Sequence, residues 1–154
     1  MRPLKALFLL LPLGPALYAL LTRGSPVLWA EPVQAGPGAL QEVYVRAHPA
    51  VLGVADGEGT RGTGFFYREG LVLTAYHVVA EGGAFRLVLA DRTQAEARVV
   101  GFAEPLDLAV LATPAKAPAL LPLETARRPK TGEPVLHIGN GRGQFIAPRY
   151  GRVT

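Results

Sequence analysis

Eighteen glycines and fourteen prolines are spread through a chain of 154 residues, and this punctuation constrains the fold more than any other feature. Proline removes a backbone donor and glycine loses the most conformational freedom on ordering, so long unbroken helices are excluded. Between the breaks lie apolar runs of strand length. Residues 51–55 form one. Residues 64–67 and 71–74 flank Arg68-Glu69-Gly70 and read as a hairpin, and 85–89 with 95–102 read as a second hairpin around Asp91-Arg92. Residues 108–112, 135–138 and 149–153 are further strands, with a proline-rich connector over 114–122. One helix is expected, over 39–47, where apolar residues fall at 40, 43, 44 and 47 and His48-Pro49 ends the run. Strands this short and evenly spaced predict a small all-β antiparallel barrel.

The length suits one ordinary domain, and 49% apolar against 18% charged residues supplies a core rather than a disordered tract. The absence of cysteine removes disulfides, thiolate zinc sites and thiol nucleophiles together. The formal charge is +4, but from Gly36 onward 13 basic and 11 acidic residues leave only +2. That balance argues against a nucleic-acid binder. Six of those basic residues follow Thr125 against one acid, Glu133, and read as a solvated strand face.

The N-terminus has a different character. Arg2 and Lys5 precede 17 uncharged residues, Ala6 to Thr22. This is the layout of a secretory signal, with Val33-Gln34-Ala35 the best cleavage candidate and Leu28-Trp29-Ala30 the second. A retained membrane anchor is the alternative, although the run is short of the roughly 20 residues that span a bilayer and Pro12, Gly14 and Pro15 interrupt it. Either way the working part is expected outside the cytoplasm: periplasmic, secreted or membrane-anchored.

Two glycine motifs have simple explanations. Gly57-Glu58-Gly59-Thr60-Arg61-Gly62 matches the dinucleotide fingerprint letter for letter but precedes a strand, not a helix, and is expected to be a turn. Gly139-Asn140-Gly141-Arg142-Gly143 lacks the Lys-Ser/Thr of a phosphate loop and reads as a loop between strands, mobile or facing substrate. The three histidines are too dispersed to form a local metal motif. His48 is expected at the surface and His137 as a hydrogen-bonded core residue. His77 sits where a buried strand turns helical, and Asp107 opens the apolar run that follows thirty residues later. A carboxylate at the mouth of a buried strand is costly unless paired, and an imidazole is a natural partner.

These motifs together resemble the N-terminal half of a trypsin-like serine endopeptidase of the bacterial HtrA/Deg type. Gly62-Thr63-Gly64-Phe65-Phe66 resembles the family's strand before the histidine, Leu73-Thr74-Ala75-Tyr76-His77-Val78-Val79 its histidine motif, and Asp107-Leu108-Ala109-Val110-Leu111 its aspartate motif. Gly132-Glu133-Pro134-Val135 and Ile138-Gly139-Asn140 resemble the opening of the second barrel. The resemblance implies a double antiparallel β-barrel preceded by a short helix, the first barrel complete and the second only begun. It also implies His77 as general base and Asp107 as the group that orients its ring. Tyr76 is bulkier than the residue usual before the family's histidine. The family's nucleophile stands in a Gly-x-Ser-Gly-Gly motif that these residues do not contain; Ser25, the only serine, lies in the N-terminal segment.

The expected organisation is a signal peptide or membrane anchor over 1–35, linker and helix over 36–49, and the first barrel over 50–113. A connector then covers 114–130 and the start of the second barrel 131–154. The sequence stops inside a strand pattern, as a chain cut short would. The implied activity is cleavage of unfolded envelope proteins, with protein or peptide substrates and a homo-oligomeric assembly. No metal or organic cofactor is expected. The alternative is a non-catalytic partial barrel that binds a peptide or partner strand.

Overall fold

A computed structural model describes residues 7–10, 18–21, 39–141 and 144–154. Helix α1 (Ala39–Ala47) has the bounds that its apolar spacing predicts, and a 3-10 turn, His48–Ala50, leads from it into the strands. Six strands then close into a barrel: β3 (Val51–Asp56), β4 (Gly59–Arg68), β5 (Leu71–Thr74), β6 (Phe85–Val88), β7 (Gln94–Ala103) and β8 (Leu108–Ala112). The order round the barrel is β3-β4-β5-β8-β7-β6, and β3 pairs with β6 to close it. Every neighbouring pair is antiparallel. Closure leaves the sheet without a free edge.

The first three of these strands carry apolar residues on both faces. Leu52, Phe66 and Val72 point into the barrel and are fully buried. Their chain neighbours Val51, Phe65 and Leu73 point outward and are also buried, beneath Leu40 and Val43 of α1 and residues of a second sheet. A strand buried on both faces reads as a continuous apolar run instead of an alternating one, as these do. Gly64 makes this packing possible. A β-carbon there would lie 2.8 Å from Val72 Cγ1 and 3.0 Å from the Leu73 carbonyl oxygen.

The second sheet is built on the hairpin of β10 (Pro134–Gly141) and β11 (Gln144–Arg152). With β1 (Leu7–Leu10), β2 (Tyr18–Leu21) and β9 (Leu123–Glu124) its order is β11-β10-β2-β1-β9. β2 runs parallel to β10 through the Val135–Tyr18 pair, and β1 pairs antiparallel with both β2 and β9. Pro148, which donates no hydrogen bond, is tolerated because β11 lies at the sheet's edge. Leu7–Leu10 and Tyr18–Leu21 belong to the stretch read as a targeting segment; Arg2, Lys5 and both cleavage candidates lie outside the described residues. Among the described residues no helix is long and apolar enough to cross a membrane.

Four local expectations need revision. β4 begins at Gly59 rather than 64, because ladder bonds to β3 extend it through polar and glycine residues with no apolar signature. β11 begins at Gln144 rather than 149, because its pairing with β10 runs back to the Gly141–Gln144 pair. His48 is half-buried, its ring 5.1 Å from that of Tyr44. Gly139-Asn140-Gly141 continues β10 through a bulge instead of forming a loop, while Arg142 and Gly143 lie outside the described residues. The Gly57-Glu58 segment is a turn, as expected. The Asp56 carboxylate accepts the Glu58 and Gly59 amides at 2.8 and 3.1 Å and pairs with Arg61. The Glu58 amide and the Arg61 guanidinium hold its pKa below the usual carboxylate range.

Candidate active site

β5 ends at Thr74, Ala75 stays extended, and the chain then makes one helical turn, α2 (Tyr76–Val79). Asp107 follows a 3-10 turn, Glu104–Leu106, and immediately precedes β8. The ladder between β5 and β8 pairs Thr74 with Ala109, so residues thirty apart in sequence meet at the same end of two neighbouring strands. Asp107 has a left-handed backbone, φ 53° and ψ 44°. Asp adopts this region more readily than most side chains. The twist aims both its carbonyl and its carboxylate at α2.

Three contacts result. The Tyr76 amide donates to the Asp107 carbonyl at 3.0 Å, and the His77 amide donates to Asp107 Oδ1 at 2.9 Å. His77 Nδ1 lies 2.7 Å from Asp107 Oδ2. An ionised carboxylate only accepts, so Nδ1 carries the proton of the neutral ring and Nε2 keeps a basic lone pair. The Asp107 side chain is 11% exposed and that of His77 56%, leaving the imidazole open to an incoming group while its partner is sheltered. Tyr76 stacks on Phe102 of β7, ring centroids 5.0 Å apart, which places its bulk on the barrel's outer surface.

The floor beneath α2 is β4. A β-carbon on Gly62 would lie 2.5 Å from Val78 Cγ2, so only glycine lets the histidine-bearing turn lie this close. Next to it, the Thr63 carbonyl accepts the hydroxyl of the buried Thr74 at 2.8 Å. Thr63 also receives Asn140 from β10, a residue whose contacts with the first barrel no local sequence pattern marks.

The other histidines lie elsewhere. His137, on β10, faces Arg149 across the β10–β11 ladder and is half-buried. Burial and the Arg149 charge both push its pKa below the ordinary histidine range. The unfolded chain therefore takes up a proton near pH 6.5, the ordinary histidine value, which the folded chain accepts only at lower pH. Stability is retained above that value and drains away as pH falls toward the folded-state one. Between pH 7 and 5 the melting temperature is expected to fall more steeply for the native chain than for His137→Gln; equal slopes would refute this. Among the described residues no three His, Asp or Glu side chains converge where a metal could sit. In the basic C-terminal stretch Arg127 pairs with Glu133 at 3.1 Å and Arg152 donates to the Gly132 carbonyl at 2.7 Å.

Comparison with known proteins gives a consistent picture. Residues 62–154 match the family described as the trypsin-like peptidase domain. Over 107 residues the chain is 34% identical to Protease Do-like 1, chloroplastic, of Arabidopsis thaliana, covering 68% of this chain and 24% of that protein. It is 36% identical over 83 residues to a probable periplasmic serine endoprotease, DegP-like, of Pseudomonas putida, covering 53% of this chain and 17% of the relative. Among solved structures it is similar to the serine endoprotease from Yersinia pestis, with TM-score 0.62, 28% identity, and coverage of 75% of this chain and 43% of the other. The HtrA-type protease AlgW with decapeptide gives TM-score 0.62, 25% identity, and coverage of 73% and 44%. The chain thus spans about a quarter or less of these two curated relatives and under half of either solved chain.

Proposed function

The chain belongs to the trypsin-like peptidase family, and we propose that it acts as part of an HtrA-type serine endopeptidase, with His77 as general base and Asp107 as the group that orients it. The observation that carries this reading is the 2.7 Å contact between Nδ1 and Oδ2, which leaves Nε2 as the ring's one basic position. In acyl transfer Nε2 would take the proton of a serine hydroxyl as its oxygen bonds the scissile carbonyl carbon. It would then return that proton to the departing amine as the C–N bond breaks. Asp107 stabilises the imidazolium between those steps and stays ionised throughout.

The reading assigns the serine, the oxyanion-hole amides and the specificity pocket to sequence outside these 154 residues. It takes 1–35 as signal peptide or anchor, 36–49 as linker and helix, 50–113 as the first barrel, 114–130 as connector and 131–154 as the start of the second. Substrates would be unfolded proteins or peptides outside the cytoplasm, a location supported by the periplasmic names of the bacterial relatives. The test is to incubate the full-length gene product with reduced, unfolded casein. Hydrolysis suppressed by a phosphonofluoridate is expected. Casein that is bound but never cut would overturn the proposal in favour of the non-catalytic alternative.

A further inference from the structure

We infer that Asn140 is a positioning residue for His77, coupling the pair's alignment to the docking of the β10–β11 hairpin on the first barrel. This deepens the proposed catalytic role of His77 and rests on it for significance, not for geometry. Asn140 sits at the bulge of β10. Its backbone amide donates to Thr63 Oγ1 at 2.8 Å, and its side-chain Nδ2 reaches Thr63 Oγ1 at 3.2 Å, the Gly62 carbonyl at 3.3 Å and the Leu52 carbonyl at 3.4 Å. Its Oδ1 accepts the amide of Ile146, a buried residue with a left-handed φ of 48°. A β-branched residue adopts that conformation only when its surroundings insist. Here the Tyr44 hydroxyl, donating to the Ile146 carbonyl at 3.0 Å, completes the grip.

Gly62 and Thr63 are the residues of β4 that meet the His77 turn and the end of the strand leading into it. Gly62 lies against Val78, and Thr63 holds Thr74 through its carbonyl. One side chain therefore fastens both supports of α2 from the opposite body. A shift of a few tenths of an ångström in that floor would be carried to His77, whose 2.7 Å bond to Asp107 has little slack. Arg92 provides an internal control. Its guanidinium lies 3.8 Å from the Phe145 ring centroid, bridging the same two bodies without touching Gly62 or Thr63.

The experiment is proton and nitrogen NMR of the full-length gene product, reading solvent exchange of the His77 Nδ1 proton. Asn140→Ala should speed that exchange at least tenfold, whereas Arg92→Ala should leave it within twofold. Should Asn140→Ala fail to fold, Thr63→Val, which keeps the shape and removes the shared oxygen, decides by the same criterion. Unchanged exchange in the folded Asn140 or Thr63 variant, or equal acceleration in Arg92→Ala, would overturn the inference. The readout is the pair itself, so absence of proteolysis would overturn the proposed function without bearing on this result.

Discussion

Asp107→Asn in the full-length gene product is expected to lower kcat about ten-thousand-fold with little change in KM. The substitution keeps the size and shape of the side chain. It replaces an obligate acceptor by an amide whose Nδ2 donates, so His77 Nδ1 becomes the acceptor and the ring proton moves to Nε2. The base then points its lone pair the wrong way, and the imidazolium loses the charge that stabilised it. His77→Ala should cost as much or more, and the double variant should cost scarcely more than the worse single one, because the two groups act as a unit. Steady-state kinetics on a chromogenic peptide, with folding checked by circular dichroism, decides the matter. A loss below tenfold in Asp107→Asn would detach the carboxylate from catalysis.

The second large effect concerns the barrel that holds this pair. Phe66→Ala should destabilise the chain by about 3–5 kcal/mol, the usual cost of emptying an aromatic site in a close-packed interior. Phe66 is fully buried in the cluster with Leu52, Val72 and Leu111, drawn from three other strands. In a closed barrel those strands are pinned to one another round the ring and cannot collapse into the void. Against a typical total stability of about 5–15 kcal/mol, this is a large share. Val45→Ala, on the exposed face of α1, should stay within about 0.5 kcal/mol. Urea titrations with unchanged m-values would measure both. A Phe66 variant as stable as the Val45 variant would contradict the packing described.

Much of the fold was legible because its determinants are local. The bounds of α1 and β8 follow from apolar spacing and their flanking breakers, and both hairpins from their turns. The apolar pairs Val51-Leu52, Phe65-Phe66 and Val72-Leu73 lie in runs that read as strands, and the fold buries one member of each pair inside the barrel and the other outside it. Three features were not legible. The early part of β4 is held by backbone pairing, which leaves no trace in side-chain pattern. Asn140 looked like part of a glycine-rich loop because its partners on the first barrel lie 77 to 88 residues away. The strands Leu7–Leu10 and Tyr18–Leu21 are apolar quartets with no alternation or turn signal to mark them as strands.

The site divides in the same way. Residue types and surroundings marked His77 and Asp107 as interesting, but a spacing of thirty residues implies no contact. Family resemblance suggested the pairing, and the β5–β8 ladder supplies its physical cause. The left-handed turn at Asp107 and the close fit of Gly62 beneath Val78 belong to the folded backbone.

The most direct measurement is to treat the full-length gene product with a peptide chloromethyl ketone and locate the alkylated histidine by peptide mass mapping. The account predicts one adduct, at Nε2 of His77, appearing in step with loss of hydrolysis and leaving His48 and His137 unmodified. Alkylation of His48 or His137 in step with inactivation, or full hydrolysis after His77 is modified, would contradict it.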